Sequence, residues 1–276
     1  MNIGIRLHDT LPGTLSERLA YAKAQGFSCA HLALSKALSD FPMADAPRLL
    51  TEELAAQVRE DFAAQGMECA VLGCYLNLAD PDEESRRRTQ EIYRAHLRFS
   101  RMIGARVVGT ETPAAAGARF SEPQQDSEEA FRLFLESVKP VVRRAEEEGA
   151  VLAVEPVWRH IVSTPEKAER LLEEVNSDSL QIILDSVNLL SAATVDRAEA
   201  LIGEAIRRLG DRVRVLHMKD YVKAQNGDVL STACGLGVMR YEALVAFAKA
   251  RGLPMTLEDT RPDNAEAARL FLERFA

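Results

Sequence analysis

Residues 151–185 read VLAVEPVWRHIVSTPEKAERLLEEVNSDSLQIILD, and this stretch decides the fold class. It begins with the β-branched run VLAVE and ends with the similar run QIILD, and an amphipathic helical stretch lies between them. Pro165 stands where that helix would begin, a position at which no backbone N–H is needed. A strand, a helix and a second strand in this order form the unit from which parallel sheets are built.

The same unit recurs along the whole chain. Predicted strands lie at 3–7, 29–34, 68–73, 106–110, 151–155, 181–185, 213–218 and 254–258, and a helical stretch follows each one. Eight units in 276 residues agree with a closed (β/α)8 barrel, which typically takes about 250 residues. An open doubly wound sheet would instead need a glycine-rich phosphate loop after its first strand, where this chain has HDTLPG at 8–13. We therefore predict an α/β fold, a single TIM-barrel domain spanning residues 1–276.

Local signals mark where the predicted helices begin and end. Thr14 with Glu17, and Asp80 with Glu83, match the pattern of an N-cap residue followed three positions later by a carboxylate. Glycines between a predicted helix and the next strand are expected to end helices. These glycines are Gly26, Gly66, Gly104, Gly149, Gly210 and Gly252.

The net charge of the chain disfavours negatively charged binding partners. The chain has 34 Lys and Arg against 42 Asp and Glu, and its net charge of −8 repels phosphate backbones and anionic lipid surfaces. The basic triplet at 86–88 follows an acidic run at 82–84, a pattern typical of a salt-bridged helix face. We therefore expect no nucleic-acid partner and no membrane partner.

Cysteine spacing and the first residues predict the compartment. The four cysteines are scattered without C-x-x-C spacing, which favours reduced thiols in the core. Residues 1–7 lack the basic segment and apolar run of a signal peptide, and no run of about 18 apolar residues occurs. These features predict a cytoplasmic protein, and they leave self-association into a homo-oligomer open.

Polar side chains close four successive predicted strands. Three apolar runs end in Glu155, Asp185 and Glu258, and the run at 213–218 carries His217 near its end. Because catalytic residues of such barrels project from the carboxyl ends of the strands, we expect the four to meet at one mouth. Side-chain alternation agrees, since Glu155 has the same inward parity as Ala153. The alternative for any one acid is a plain ion pair with a nearby Lys or Arg.

Three inward carboxylates in one barrel mouth repel one another and suffer desolvation unless a cation joins them. A divalent metal bound by Glu155, Asp185, His217 and Glu258 resolves this conflict. Oxygen-rich ligation with one imidazole favours Mn²⁺, Mg²⁺ or Co²⁺, with Zn²⁺ as the alternative.

Four segments resemble the sugar phosphate isomerase/epimerase superfamily, the xylose isomerase-like TIM barrels (AP endonuclease family 2). They are VEPV at 154–157, LDSVN at 184–188, HMKD at 217–220 and LE at 257–258, within a resemblance that spans the chain. In such barrels a Glu, Asp, His, Glu quartet on the last four strands holds one divalent metal, which implies Glu155, Asp185, His217 and Glu258 here. The family includes ketose 3-epimerases, hydroxypyruvate isomerases, inosose dehydratases and the endonuclease IV group.

One departure from the family pattern concerns the substrate. Several of the epimerases have a His three residues after the Asp of the sixth strand, and this chain has Asn188 there. The contact that such a His makes with the substrate is therefore absent, although Asn188 remains a candidate substrate-binding residue.

Further candidates for substrate contact lie near other strand ends. Inward parity places His8, with Arg6, on the first strand, where plain interior hydrogen bonding is the alternative. Glu111 ends the fourth strand, and its alternative role is an ion pair with a nearby Lys or Arg. Trp158 lies in the loop after Glu155, and its alternative role is packing within that loop.

The seventh strand and its loop add two candidates. Lys219 shares the parity of His217 and could reach a substrate oxygen, while a Schiff-base role is disfavoured beside a metal quartet. Asp220 completes the HMKD motif and is expected to orient His217 or Lys219. The glycine-rich segment 221–240, with Lys223 and Arg240, suggests a lid, a phosphate-binding loop or an ordinary excursion.

These residues and the resemblance together predict an isomerase. The expected reaction is metal-dependent isomerisation or epimerisation of a sugar or sugar phosphate, with Glu155 and Glu258 moving protons beside a carbonyl through an enediolate. Dehydration of an inosose-type keto-polyol and a non-catalytic sugar-binding barrel are the alternatives. An abasic-site endonuclease is disfavoured, because it needs additional metal ligands and a basic DNA face.

Overall fold

The computed structural model describes residues 1–112 and 127–275. Eight parallel strands form a closed barrel in the order β1-β10-β7-β6-β5-β4-β3-β2, which confirms the predicted TIM barrel. The barrel strands are β1 (Ile3–Arg6), β2 (Cys29–Leu32), β3 (Glu68–Gly73), β4 (Val107–Glu111), β5 (Leu152–Glu155), β6 (Leu180–Asp185), β7 (Val213–Met218) and β10 (Met255–Leu257). Each predicted strand is present to within two residues at either end.

Helices surround the barrel on its outside. They are α1 (Leu15–Ala24), α2 (Leu34–Ala37), α3 (Ala46–Leu49), α4 (Glu52–Ala64), α5 (Glu83–Ile103), α6 (Glu128–Glu148), α7 (Pro165–Val175), α8 (Ala198–Leu209), α9 (Glu242–Arg251) and α10 (Ala265–Glu273). The helix predicted after β7 is present as α9, and the long segment 221–240 lies between them. There an antiparallel hairpin of β8 (Asp220–Lys223) and β9 (Val229–Thr232) precedes α9.

Successive side chains of each strand point alternately into the barrel and towards the helices, so they contribute to two separate cores. Inward positions such as Ala153, Ile183 and Val215 form a small cluster that fills the barrel. Outward positions such as Leu152 and Ile182 join the larger core beneath the helices. Because the apolar filling lies deep in the barrel, the polar strand ends remain at its open mouth.

The local signals were mostly confirmed. Thr14 and Glu17 form a reciprocal capping box at the start of α1, and Pro165 is the first residue of α7. The prediction for α5 is wrong by two residues, because Asp82 accepts the capping hydrogen bond from the backbone N–H of Ser85. Asp80 instead accepts bonds from Asp82 and Ser85 ahead of the helix.

The predicted glycine positions lie at or next to helix ends. Five have the left-handed conformation that favours glycine, namely Gly26, Gly66, Gly104, Gly149 and Gly252. Gly210 differs, since its φ of −52° continues the helical path into a short 3-10 turn.

The four cysteines are free and buried, as the spacing predicts. Among the described helices, none combines the length and apolar character that crossing a bilayer requires.

Glycine inside the barrel sets a packing limit that can be tested. A Cβ added at Gly109 on β4 would lie 2.6 Å from Val71 Cγ1 and 2.9 Å from Ile183 Cδ1. We expect Gly109→Ala to lower the free energy of unfolding by about 1–3 kcal/mol, the usual cost of overpacking a core. Urea unfolding monitored by circular dichroism measures the change.

Gly203 on α8 provides the matched control. A Cβ there meets no atom closer than Arg207 NH1 at 3.5 Å, so Gly203→Ala should stabilise the protein by roughly 0.5–1 kcal/mol through helix propensity. Equal effects of the two substitutions would contradict the packing argument.

Candidate active site and metal centre

The four residues predicted to bind metal meet at the mouth of the barrel. Glu155 ends β5, Asp185 ends β6, His217 lies on β7 and Glu258 follows β10. The His217 Nδ1 atom lies 2.9 Å from Glu155 Oε2 and 3.2 Å from Glu258 Oε1. The register of the sheet brings this about, since Asp185 pairs with His217 across β6 and β7.

This cluster is buried and incompletely hydrogen-bonded. Both ring nitrogens of His217 and the Oδ2 atom of Asp185 are buried without a hydrogen-bond partner, although charged atoms lie close to them. The other carboxylate oxygen of Asp185 accepts bonds from the backbone N–H groups of Val187 and Asn188 at 2.9 and 3.0 Å, which fixes the orientation of Oδ2. Buried polar atoms without hydrogen bonds are rare and point to an additional binding partner.

A divalent cation fits this arrangement. Glu155, Asp185 and His217 offer ligand atoms that all lie within 4.8 Å of one another. A metal bound at about 2.0–2.2 Å from each ligand places neighbouring ligand atoms roughly 3 Å apart, close to the separations around His217. A second group with the same property is His31, His217 and Glu258. The sequence did not place His31 among the ligands.

Cations of the protein neutralise part of the acidic cluster. The Lys219 Nζ atom lies 3.1 Å from Asp185 Oδ2 and 3.0 Å from Glu258 Oε2. Arg6 NH1 lies 3.4 Å from the same Glu258 oxygen. Lys219 therefore faces the site as its parity predicts, and two cations share the charge of Glu258.

Asn188 links the cluster on its other side. Its amide nitrogen donates to Glu155 Oε1 at 2.5 Å, and its amide oxygen accepts from Lys219 Nζ at 3.1 Å. The residue that departs from the family pattern thus touches a predicted metal ligand and the neighbouring lysine.

The charges shift the proton affinities of the cluster. Burial favours protonated Glu258, but His217, Lys219 and Arg6 outweigh it and hold its pKa well below the usual value. Burial also acts to lower the pKa of His217, yet Glu258 and Glu155 raise it to about 9. For Asp185 burial dominates over Lys219 and raises the pKa to about 6.

A pocket of about 420 Å³ adjoins the cluster. Its walls include His8 and Glu111, two of the predicted substrate-binding residues, together with Lys219 and Glu258. Burial and then the carboxylates Glu155 and Glu258 raise the pKa of Glu111 to about 8. His160 Nδ1 lies 3.7 Å from Glu111, so the fourth-strand acid meets an imidazole from the loop after β5.

The pocket also contains residues that the sequence did not single out. Tyr75 follows β3, and its hydroxyl lies 3.2 Å from His31 Nε2. Lys36 and Met43 come from the segment after β2. The only sequence feature that could have indicated Tyr75 as a site residue is its position two residues after the end of a strand. No sequence feature indicated Lys36 or Met43. Trp158 does not line this pocket but a separate cavity beside Asn188.

Two expectations for the segment after β7 need correction. The Asp220 carboxylate accepts hydrogen bonds from the backbone N–H groups of Tyr221, Gly235 and Met239, so it organises the loop rather than orienting His217 or Lys219. Lys223 pairs with Asp196 at 2.7 Å and Arg240 with Glu199 at 3.3 Å. Since both cations are engaged by acids of the neighbouring segment, a phosphate-binding role for this loop is not supported.

The comparisons with known proteins agree with the barrel fold. A family model described as a xylose isomerase-like TIM barrel matches residues 19–275. A search of curated protein sequences gave no significant match.

Solved structures share the fold over the full chain. A 3-keto-D-glucoside 4-epimerase from E. coli has 20% identity and a TM-score of 0.75, covering 99% of both chains. D-psicose 3-epimerase from Clostridium cellulolyticum H10, solved with D-tagatose, has 16% identity and a TM-score of 0.76, covering 100% of this chain and 99% of its own. The IOLI protein, solved with a bound zinc atom, has 17% identity and a TM-score of 0.73, covering 100% and 96%.

Metal binding at the cluster can be measured directly. Asp185→Ala and His217→Ala should each weaken Mn²⁺ binding by more than the roughly 10–100-fold typical of losing an outer partner, because each removes a ligand itself. Isothermal titration and elemental analysis report affinity and occupancy. Asp178→Asn, an exposed acid just before β6, should leave both unchanged. Normal occupancy in both alanine variants would contradict the assignment.

Metal removal should also lower stability. A ligand bound by the folded state alone stabilises it by mass action, so chelation should lower the melting temperature and added Mn²⁺ should restore it. An unchanged melting curve after verified removal of the metal would argue against the site.

The role of Asp220 gives a separate prediction. Asp220→Ala removes the acceptor for three backbone N–H groups, so hydrogen exchange of the 233–239 segment should accelerate while that of the barrel strands stays slow. Exchange that rises equally in the strands would point to a global effect instead.

Proposed function

Because the chain belongs to the xylose isomerase-like TIM-barrel family, we propose that it is an isomerase or epimerase of a small carbohydrate. The proposed reaction removes a proton from the carbon next to a carbonyl and returns one to give the product. Three inward carboxylates meeting one imidazole at the mouth of the barrel are the observation that carries this proposal.

Glu155, Asp185, His217 and Glu258 are the residues that would hold the divalent metal. When bound, such an ion supplies Lewis-acid chemistry that acidifies the C–H between neighbouring carbonyl and hydroxyl oxygens. The donor set suits Mn²⁺, Mg²⁺ or Co²⁺, and it also accommodates Zn²⁺, the metal in the solved IOLI protein.

The two glutamates are the proposed proton carriers. They come from β5 and from the end of β10, three strands apart around the barrel, and both contact the same nitrogen of His217. In the proposed reaction the sugar carbon lies between the two carboxyl groups. One glutamate, ionised, removes the proton and keeps it, and the other, protonated, donates a different proton to the opposite face, which is what inversion of a carbon requires.

The remaining polar residues bind and orient the substrate. Arg6 and Lys219 hold the Glu258 carboxylate in its ionised form, and the amide of Asn188 orients Glu155. His8 lines the pocket as a neutral imidazole, because burial and then Arg6 lower its pKa to about 3. It is therefore suited to hydrogen bonding with sugar hydroxyls.

Dehydration of a keto-polyol is the second candidate, since it begins with the same proton removal. Glu111 favours it, because this acid lines the same pocket and lies near His160, where a leaving hydroxyl could receive a proton. Analysis of the products by nuclear magnetic resonance separates an isomeric sugar from a dehydrated one.

The two-glutamate proposal predicts a specific kinetic defect. Glu155→Gln and Glu258→Gln keep the size of the side chain but remove the base, so each should lose roughly 10²–10⁴-fold or more in turnover. A panel of ketoses with and without phosphate, in the presence of Mn²⁺, provides the substrates, and metal occupancy is measured in each variant.

Solvent exchange then assigns the two faces. In deuterated water, one Gln variant should still exchange the substrate C–H of one epimer without converting it to the other. Near-normal turnover in both variants would rule out the mechanism, and wild-type product without deuterium would indicate a shielded relay or a hydride shift.

A further inference from the structure

Trp158 is the single tryptophan of the chain, and the proposed proton transfers give it no task. It lies three residues after Glu155, and 39% of its surface is exposed. A large exposed aromatic side chain at the mouth of a barrel is a candidate contact for a ligand.

The loop that carries Trp158 is held firmly against the site. The backbone N–H of Trp158 donates to the Asn188 carbonyl oxygen at 2.8 Å. Val157 donates to Val162 at 3.0 Å, and His160 donates to Val157 at 2.8 Å. The backbone of this loop therefore has a defined position relative to Asn188.

A cavity of about 270 Å³ lies against this indole. Its apolar walls include Trp158 and Val187, together with Val229 from β9 of the hairpin. Its polar lining residues include Asn188 and Ser231. Arg159 also lines it, with its guanidinium over the indole ring, 4.7 Å from the ring centroid.

Asn188 connects this cavity to the reacting groups. The side chain of this lining residue contacts Glu155 Oε1 and Lys219 Nζ. One residue, Asn188, therefore lies between the cavity and the proposed base Glu155.

The chemistry of the walls indicates what the cavity holds. A pyranose ring has faces of C–H groups and hydroxyls around its edge, which match an exposed indole with a guanidinium over its ring and Ser231 in the same cavity wall. The volume is below the roughly 300–1,000 Å³ of a complete ligand site, so one ring fits rather than a whole large ligand.

We propose that this cavity is a subsite for a second sugar ring, and that the substrate is a disaccharide. The reacting ring lies beside His217, and the second ring stacks on Trp158. This inference rests on the proposed function, because it assumes that a sugar occupies the main pocket.

The single tryptophan makes the subsite directly observable. Cellobiose, maltose, trehalose, phenyl β-D-glucoside and glucose are titrated into the Mn²⁺-loaded protein while tryptophan fluorescence is recorded. At least one disaccharide should change the emission and bind about tenfold or more tightly than glucose. Calorimetry should show that Trp158→Ala loses about tenfold in affinity for that disaccharide, while Trp158→Phe, which keeps an aromatic face, loses less.

Leu236→Ala is the matched control, because Leu236 is 57% exposed on the segment after the hairpin and does not line the cavity. It should bind the disaccharide as the wild type does. Binding of phenyl glucoside without binding of any disaccharide would overturn the proposal, as would equal affinities in the wild type and Trp158→Ala.

The outcomes also separate this inference from the proposed function. If ketoses exchange deuterium with solvent but no disaccharide binds, the subsite is wrong and the proposed function stands. If a disaccharide binds at Trp158 but no sugar exchanges or converts, the subsite stands and the proposed function is wrong.

Discussion

The mouth of this barrel depends on how buried negative charges are balanced. Glu155, Asp185 and Glu258 converge on His217, where isolated carboxylates would be costly to desolvate. The ion pairs of Lys219 with two of these acids compensate part of that cost. Buried ring and carboxylate atoms without hydrogen bonds remain, and they are the groups that a divalent cation would join.

The packing of the barrel interior stabilises the fold independently of this charged cluster. Its interior below the mouth is filled by small and β-branched side chains, so the strands pack tightly without any contribution from the polar cluster. Gly109 shows how little room is left, because even a methyl group there would overlap Val71 and Ile183. The site is thus carried by a scaffold that is stabilised elsewhere, which is the usual relation between function and framework in this fold.

Two spaces lie near the charged cluster, and we propose that each receives a different part of the ligand. The larger pocket, with His8 and Glu111, adjoins Glu258 and Lys219, while the smaller cavity, with Trp158, adjoins Asn188. The Asn188 amide contacts Glu155 and Lys219, and the residue also lines the smaller cavity, so this one position adjoins both a proposed base and the proposed subsite.

The sequence by itself determined the strands, their inward parity and the four residues that close the last strands, because periodicity and strand position are local properties of the chain. Which side chains contact one another could not be predicted in the same way, because those contacts depend on how strands far apart in sequence lie in register around the barrel. The structure decided that Lys219 bridges Asp185 and Glu258, that His31 and Tyr75 join the site, and that Asp220 binds loop N–H groups. It also showed that the segment after β7, which the sequence left open as a lid, a phosphate-binding loop or an irregular loop, contains the antiparallel hairpin of β8 and β9.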